Sequence, residues 1–263
     1  MEFQELNLPI TDGLLPCIRF GTGEKAFVMI AGMGMTGLAG VGNAVSEAYK
    51  CFAEEYTVYL FERRSELPDG WTVRDMARDI AEGMRSLGLR NADVMGASQG
   101  GMIAQVLAAD APELVHSLVL ASSDCFQNEV AQETFRLWIT LGEQKDGRAI
   151  YRDFFRRVYS VPMPEALAAV ENTGTDAQCR RFRIEAEACL GFDFRQELAK
   201  IQCPVFVYGS RKDHVLGGDS SEVLADKLGC ELHLFEGYGH AVCDEAPETR
   251  TLTLDFFHRT WNA

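Results

Sequence analysis

Three residue types at telling places give this chain its chemistry: a serine between glycines, a histidine in a late loop, and aspartates that follow strands. The segment Gly96-Ala97-Ser98-Gln99-Gly100 reads G-x-S-x-G. Ala92–Met95 before it reads as the end of a short buried strand, and Met102–Ala109 after it as a small-residue helix. A strand that turns abruptly into a helix needs glycine-sized neighbours on both sides of the bend. Such a bend pushes the Ser98 hydroxyl out at the carboxyl end of a sheet, with the positive end of the helix behind it. The pattern is short and recurs by chance; the strand–turn–helix setting gives it meaning.

A serine hydroxyl is a poor nucleophile until a base takes its proton. Five histidines are available: His116, His214, His233, His240 and His258. His240, in Gly237-Tyr238-Gly239-His240-Ala241, falls in a loop between the last expected strand and the last helix, where a base would sit. His116 and His233 lie at or beside strands, as packed or surface residues, and His258 is near the end of the terminal helix. An imidazole base needs an orienting carboxylate. Asp213, in Gly209-Ser210-Arg211-Lys212-Asp213-His214, is favoured because the turn after its strand is short and its loop leads towards His240. Asp124, in Ser122-Ser123-Asp124, is the rival, and either aspartate alone would pass for an ordinary turn or helix-cap residue.

The developing oxyanion needs donors. One is the backbone N–H of Gln99; the other is assigned to Met33 in the loop Ala31-Gly32-Met33-Gly34-Met35-Thr36-Gly37. A phosphate-binding role for those glycines fails, since the loop has neither a G-K-[ST] ending nor G-x-G-x-x-G spacing.

The elements that must position these residues alternate between strand-like and helix-like, the pattern of a mainly parallel sheet covered on both faces. Strands are expected at Cys17–Phe20, Ala26–Ile30, Thr57–Phe61, Ala92–Met95, Ser117–Leu120, Val205–Tyr208 and Glu231–Phe235. Helices are expected at Val41–Phe52, Val73–Leu87, Gly100–Asp110, Ser220–Lys227 and Pro247–Arg259. Between Ser122 and Gln202 no strand is apparent, and four helices are expected: Val130–Leu141, Gly147–Val158, Pro164–Glu171 and Ala177–Cys189. A helical block inserted between two strands of one sheet reads as a cap, residues 122–202, over a core made of residues 1–121 and 203–263. The block's aromatics, such as Phe135, Trp138, Phe154, Phe155 and Tyr159, read first as cap core. Arginines 156, 157, 180, 181 and 183 read as solvated helix faces, with contact to a carboxylated substrate as the competing reading.

The net charge of −14 repels phosphate backbones and anionic lipid surfaces, so nucleic-acid and membrane partners are not expected. The start lacks the basic and apolar parts of a signal peptide, and no apolar run approaches the length of a membrane span; the default location is cytoplasmic. Eight scattered cysteines, without a C-x-x-C pair, argue for reduced thiols and against a disulfide framework or a structural zinc. The expected partner is a small-molecule substrate, with no cofactor and no metal; homodimer formation stays open.

In this order the pieces resemble the α/β-hydrolase superfamily over nearly the whole chain. That resemblance implies an α/β-hydrolase fold with Ser98 as nucleophile, Asp213 as acid and His240 as base, since Ser…Asp…His is the family's own order. Ser98-Gln99-Gly100-Gly101-Met102-Ile103-Ala104-Gln105 and the Asp193…Leu198…Ile201…Pro204 run are similar to capped members: enol-lactonases, carbon–carbon bond hydrolases, esterases and cofactor-free haloperoxidases. Two stretches depart from the family pattern. Ala31-Gly32 stands where His-Gly is common, and Phe61-Glu62-Arg63-Arg64-Ser65-Glu66-Leu67-Pro68 replaces D-x-R-G-x-G-x-S. The expected activity is hydrolysis of a small ester, thioester or lactone. Acyl transfer or carbon–carbon cleavage at the same site is an alternative outcome, and a ligand-binding receptor with little turnover is an alternative class.

Overall fold

The computed structural model describes residues 1–263. An antiparallel hairpin, β1 (Phe3–Ile10) and β2 (Gly13–Phe20), opens the chain. Six strands follow that run parallel to one another: β3 (Lys25–Ile30), β4 (Tyr56–Phe61), β5 (Ala92–Ala97), β6 (Val115–Ala121), β7 (Val205–Ser210) and β8 (Glu231–Phe235). The sheet order is β1-β2-β4-β3-β5-β6-β7-β8, with β2 antiparallel to β4. From β3 to β7 the strands are almost wholly buried, because helices cover both faces.

The connecting helices are α1 (Gly42–Ala48), α2 (Val73–Ser86), α3 (Gln99–Asp110), α4 (Glu129–Glu143), α5 (Gly147–Val158), α6 (Pro164–Val170), α7 (Asp176–Leu190), α8 (Ser220–Leu228), α9 (Val242–Glu245) and α10 (Glu248–Trp261). One apolar layer lies under α2, α3 and α8 and continues into α4, α5 and α7. The other lies under the α1 region and α10, where Phe27 packs against Phe52 and Phe257 with ring centroids 4.8 and 5.1 Å apart. The sequence expects one helix over Val41–Phe52; the structure ends α1 at Ala48 and adds a single 3-10 turn at Lys50–Phe52. It also adds β1, whose Glu5, Asn7 and Pro9 hide the strand signal because an edge strand need bury only part of one face.

Helices α4 to α7 leave the sheet after β6 and return to it before β7. At the neck of this excursion Phe194 N–H donates to the Cys125 carbonyl at 2.7 Å, and Phe126 pairs with Asp193. Local caps start the helices: Asn128 accepts from Ala131 N–H, Asp146 from Ala149 N–H, and Thr175 forms a capping box with Gln178. At the far, amino-terminal end of β5, the buried Asp93 accepts from Ser117 Oγ at 2.6 Å and Trp261 Nε1 at 2.7 Å, and lies 2.9 Å from His116 Nδ1. The His116 ring stacks on Trp261, so this histidine fastens the terminal helix to the sheet.

Candidate active site

The bend from β5 into α3 forces Ser98 to φ 53°, ψ −121°, a left-handed backbone that a non-glycine residue holds only at a cost of about 1–3 kcal/mol. Two hydrogen bonds keep it there: Ser98 N–H donates to the Ala121 carbonyl and Ser123 Oγ to the Ser98 carbonyl, both at 2.9 Å. The flanking glycines are a steric requirement. A Cβ on Gly96 would lie 2.2 Å from the Gly100 carbonyl oxygen, and one on Gly100 would lie 2.1 Å from that of Ile30.

Asp213 and His240 come from the loops after β7 and β8 and meet at the sheet's carboxyl edge. Asp213 Oδ1 accepts from the N–H groups of Val215 and Leu216, each at 2.8 Å, and Oδ2 lies 2.7 Å from His240 Nδ1. With Nδ1 donating to the carboxylate, Nε2 is the ring nitrogen left to take a proton. The His240 loop is itself tied down: Gly239 N–H donates to Glu245 Oε2 at 2.7 Å, and Ala241 N–H to the Val158 carbonyl of α5 at 2.9 Å. His240 and Ser98 line the same cavity.

Asp124 is also buried, but its only side-chain partner is Gln127 Nε2, 3.2 Å from Oδ1, and its Oδ2 has none. Burial, with the charge of Asp213 close by, pushes its carboxyl well above the usual range. Asp124 makes no hydrogen bond to His240, whose Nδ1 meets Asp213 instead. The remaining histidines stand elsewhere: His214 and His233 are exposed, and His258 pairs with Glu55.

Gln99 is the first residue of α3, so its backbone N–H has no acceptor within the helix. Its buried side chain donates through Nε2 to the Glu185 carbonyl at 2.8 Å, with Cys189 Sγ at 3.2 Å. Met33 lines the cavity beside Gly32. The loop carrying Met33 is held from behind by Arg63, which donates to the Ala31 carbonyl and, at 2.6 Å, to the Gly32 carbonyl. Gly34 N–H donates to Glu185 Oε2 at 3.2 Å. Glu185 Oε1 lies 3.0 Å from Arg181 Nε and 3.6 Å from Arg63 Nε, and Arg63 also pairs with Glu62 at 2.6 Å. Burial raises the Glu185 carboxyl above the ordinary glutamate range, while the two guanidiniums oppose it. Sequence reading missed this charge cluster. Only the i,i+4 spacing of Arg181 and Glu185 signals it, and that spacing is equally common on exposed helix faces.

The cavity encloses about 260 Å³, and 16 of its 21 lining residues are hydrophobic. Met29 and Met95 come from strand ends, Val45 and Tyr49 from the α1 region, and Trp138 and Phe154 from the inserted helices. The inserted helices' arginines do not line it. Arg156 and Arg157 pair with Asp153, Arg180 and Arg183 with Asp69, and Arg181 with Glu62 and Glu185. All eight cysteines are free thiols, and no helix is long and apolar enough to cross a membrane.

A family model described as the alpha/beta hydrolase fold matches residues 35–247. Among curated proteins, "Putative carbamate hydrolase RutD" of Pseudomonas savastanoi pv. phaseolicola is 27% identical over 244 residues, covering 85% of this chain and 92% of its own. The protein of the same name from Rhizobium rhizogenes is 27% identical over 226 residues, covering 81% and 86%. Among solved structures, the enol-lactonase of Burkholderia xenovorans LB400 superposes with a TM-score of 0.82 at 16% identity, covering 97% of this chain and 100% of that one. The esterase EaEST of Exiguobacterium antarcticum superposes at 0.78 with 22% identity, covering 97% and 98%.

The two aspartates can be separated by amide substitution. Asp213→Asn removes the carboxylate that fixes the imidazole tautomer and should lower kcat on the order of ten-thousandfold. Asp124→Asn alters a side chain that bonds only Gln127 and not His240, keeps its shape, and should change kcat less than about threefold. Steady-state hydrolysis of p-nitrophenyl butyrate by both variants checks this; a dead Asp124 variant would reverse the assignment.

Proposed function

The chain belongs to the α/β hydrolase fold family, and on that basis we propose that it is a serine hydrolase cleaving a small ester, thioester or lactone. The observation that carries this reading is the 2.7 Å contact between His240 Nδ1 and Asp213, with Ser98 on the wall of the cavity that His240 also lines. Ser98 Oγ attacks the substrate carbonyl while His240 Nε2 takes the hydroxyl proton, and Asp213 stabilises the imidazolium. The N–H groups of Gln99 and Met33 hold the oxyanion of the tetrahedral intermediate. The carbon–oxygen or carbon–sulfur bond then breaks, and His240 returns the proton to the leaving group. Water, activated by the same imidazole, attacks the acyl-enzyme and releases the acid and free Ser98. Eight unpaired thiols fit a reducing, cytoplasmic setting for this reaction.

Residues 122–202 serve as a cap on a core formed by residues 1–121 and 203–263. Two features support this: Trp138, Phe154, Val158 and Tyr159 of that segment line the cavity, and the neck at Cys125 and Phe194 is closed by a hydrogen bond.

Ser98→Ala should leave the fold intact and lower kcat by about a millionfold, with loss of fluorophosphonate labelling. Labelling of wild-type protein at any other residue would defeat the proposal. Replacing residues 127–192 by a short glycine–serine linker across the neck should keep the sheet's circular-dichroism signal. It should also shrink the kcat/KM advantage of hexanoyl over acetyl esters by about tenfold, because the cap supplies apolar area. A folded deletion variant with unchanged substrate ranking would show that these helices do not select the substrate.

A further inference from the structure

We propose that the cavity selects a neutral, apolar acyl group of about six carbons and rejects acyl groups that end in a carboxylate; this rests on the serine-hydrolase reading. No lysine or arginine lines the cavity, and the one acidic side chain on its wall, Asp244, offers a second carboxylate no counter-charge. Arg156, Arg157, Arg180, Arg181 and Arg183 of the inserted helices each have a carboxylate partner within the protein. A bound carboxylate would lose its water and meet no cation, which makes its entry costly. The volume of about 260 Å³ equals roughly nine waters at about 30 Å³ each, so an acetyl group or a bare carbamate would leave most of the apolar wall unfilled. Three flexible methionines, Met29, Met33 and Met95, let the cavity adapt to chain shape.

Ethyl acetate, ethyl hexanoate and monoethyl glutarate, hydrolysed in a pH-stat alongside fluorophosphonate labelling of Ser98, test the selection. Ethyl hexanoate should exceed ethyl acetate in kcat/KM by about thirtyfold, and monoethyl glutarate by about a hundredfold or more. Labelled enzyme that hydrolyses monoethyl glutarate as fast as ethyl hexanoate, or ethyl acetate as fast, overturns the selection and leaves the serine-hydrolase reading intact. Absence of both labelling and turnover overturns the two together.

A separate observation assigns a role to Glu185 of α7: it is a positioning residue that holds both sides of the oxyanion site. Its carboxylate accepts from Gly34 N–H at 3.2 Å, next to Met33, and its main-chain carbonyl accepts from the Gln99 side chain at 2.8 Å. Arg63 completes the bracket, donating to the Ala31 and Gly32 carbonyls while its Nε lies 3.6 Å from the Glu185 carboxylate. Glu185 is fully buried and lines no part of the cavity, so it touches no substrate. This contact also resting on the serine-hydrolase reading, Ser98 labelling of the wild type tests that reading independently.

Oxyanion donors act on the transition state, so a displaced loop lowers kcat and spares KM. Glu185→Ala should lower kcat by about thirtyfold or more with KM within about twofold, and Glu185→Gln, which keeps an acceptor for Gly34, should recover to within about fivefold of wild type. Wild-type kcat in the alanine variant, a loss carried by KM, or no recovery with glutamine overturns the assignment. If the alanine variant does not fold, Arg181→Gln takes its place: an approximately tenfold fall in kcat at unchanged KM supports the role, and unchanged kcat overturns it.

Discussion

The bend at Ser98 is the constraint on which the rest of the site depends. It brings α3 so close to the sheet that side chains on Gly96 and Gly100 would overlap carbonyl oxygens. The small residues of α3 follow from that approach: Gly100, Gly101, Ala104 and Ala108 are all buried, as is nearly every other position of the helix. The left-handed backbone of Ser98 persists because two neighbouring segments hold it, β6 through Ala121 and the loop after it through Ser123. A strained residue survives only where its surroundings over-determine it.

Two neighbouring aspartates have different hydrogen-bond surroundings. Asp213 accepts from two backbone N–H groups and lies against the imidazole. Asp124 receives one long hydrogen bond and is pushed towards its neutral form. On the other side of Ser98, Glu62, Arg63 and Glu185 are buried ionisable groups joined by the partly exposed Arg181, where an apolar core would be less costly to assemble. Its compensation is geometric: guanidinium and carboxylate groups hold loop carbonyls and N–H groups that an apolar side chain could not.

The parallel core was readable from the sequence because β3 to β7 are short apolar runs between glycine, proline and helix signals, and α4 to α7 because no strand-like run interrupts that stretch. β1 escaped notice because an edge strand buries only a few side chains. The approach of Ser98 and His240 to one cavity follows from the parallel run of β5 to β8, which puts their carboxyl ends on the same edge. The Glu185 bracket was not readable. It depends on which face α7 turns towards a loop about 150 residues earlier, and i,i+4 charge spacing does not encode that. The arginines of the inserted helices illustrate the same limit, since Arg181 is neither a purely solvated residue nor a lining residue of the cavity but a half-buried partner of the buried Glu62 and Glu185.

The covalent intermediate is the central claim, and acid-quenched mass spectrometry tests it most directly. Protein mixed with p-nitrophenyl butyrate for milliseconds and then quenched should carry a butyryl mass on the peptide containing Ser98, formed and lost at rates that account for turnover. Turnover without any acyl adduct, or an adduct on a peptide lacking Ser98, would contradict the account.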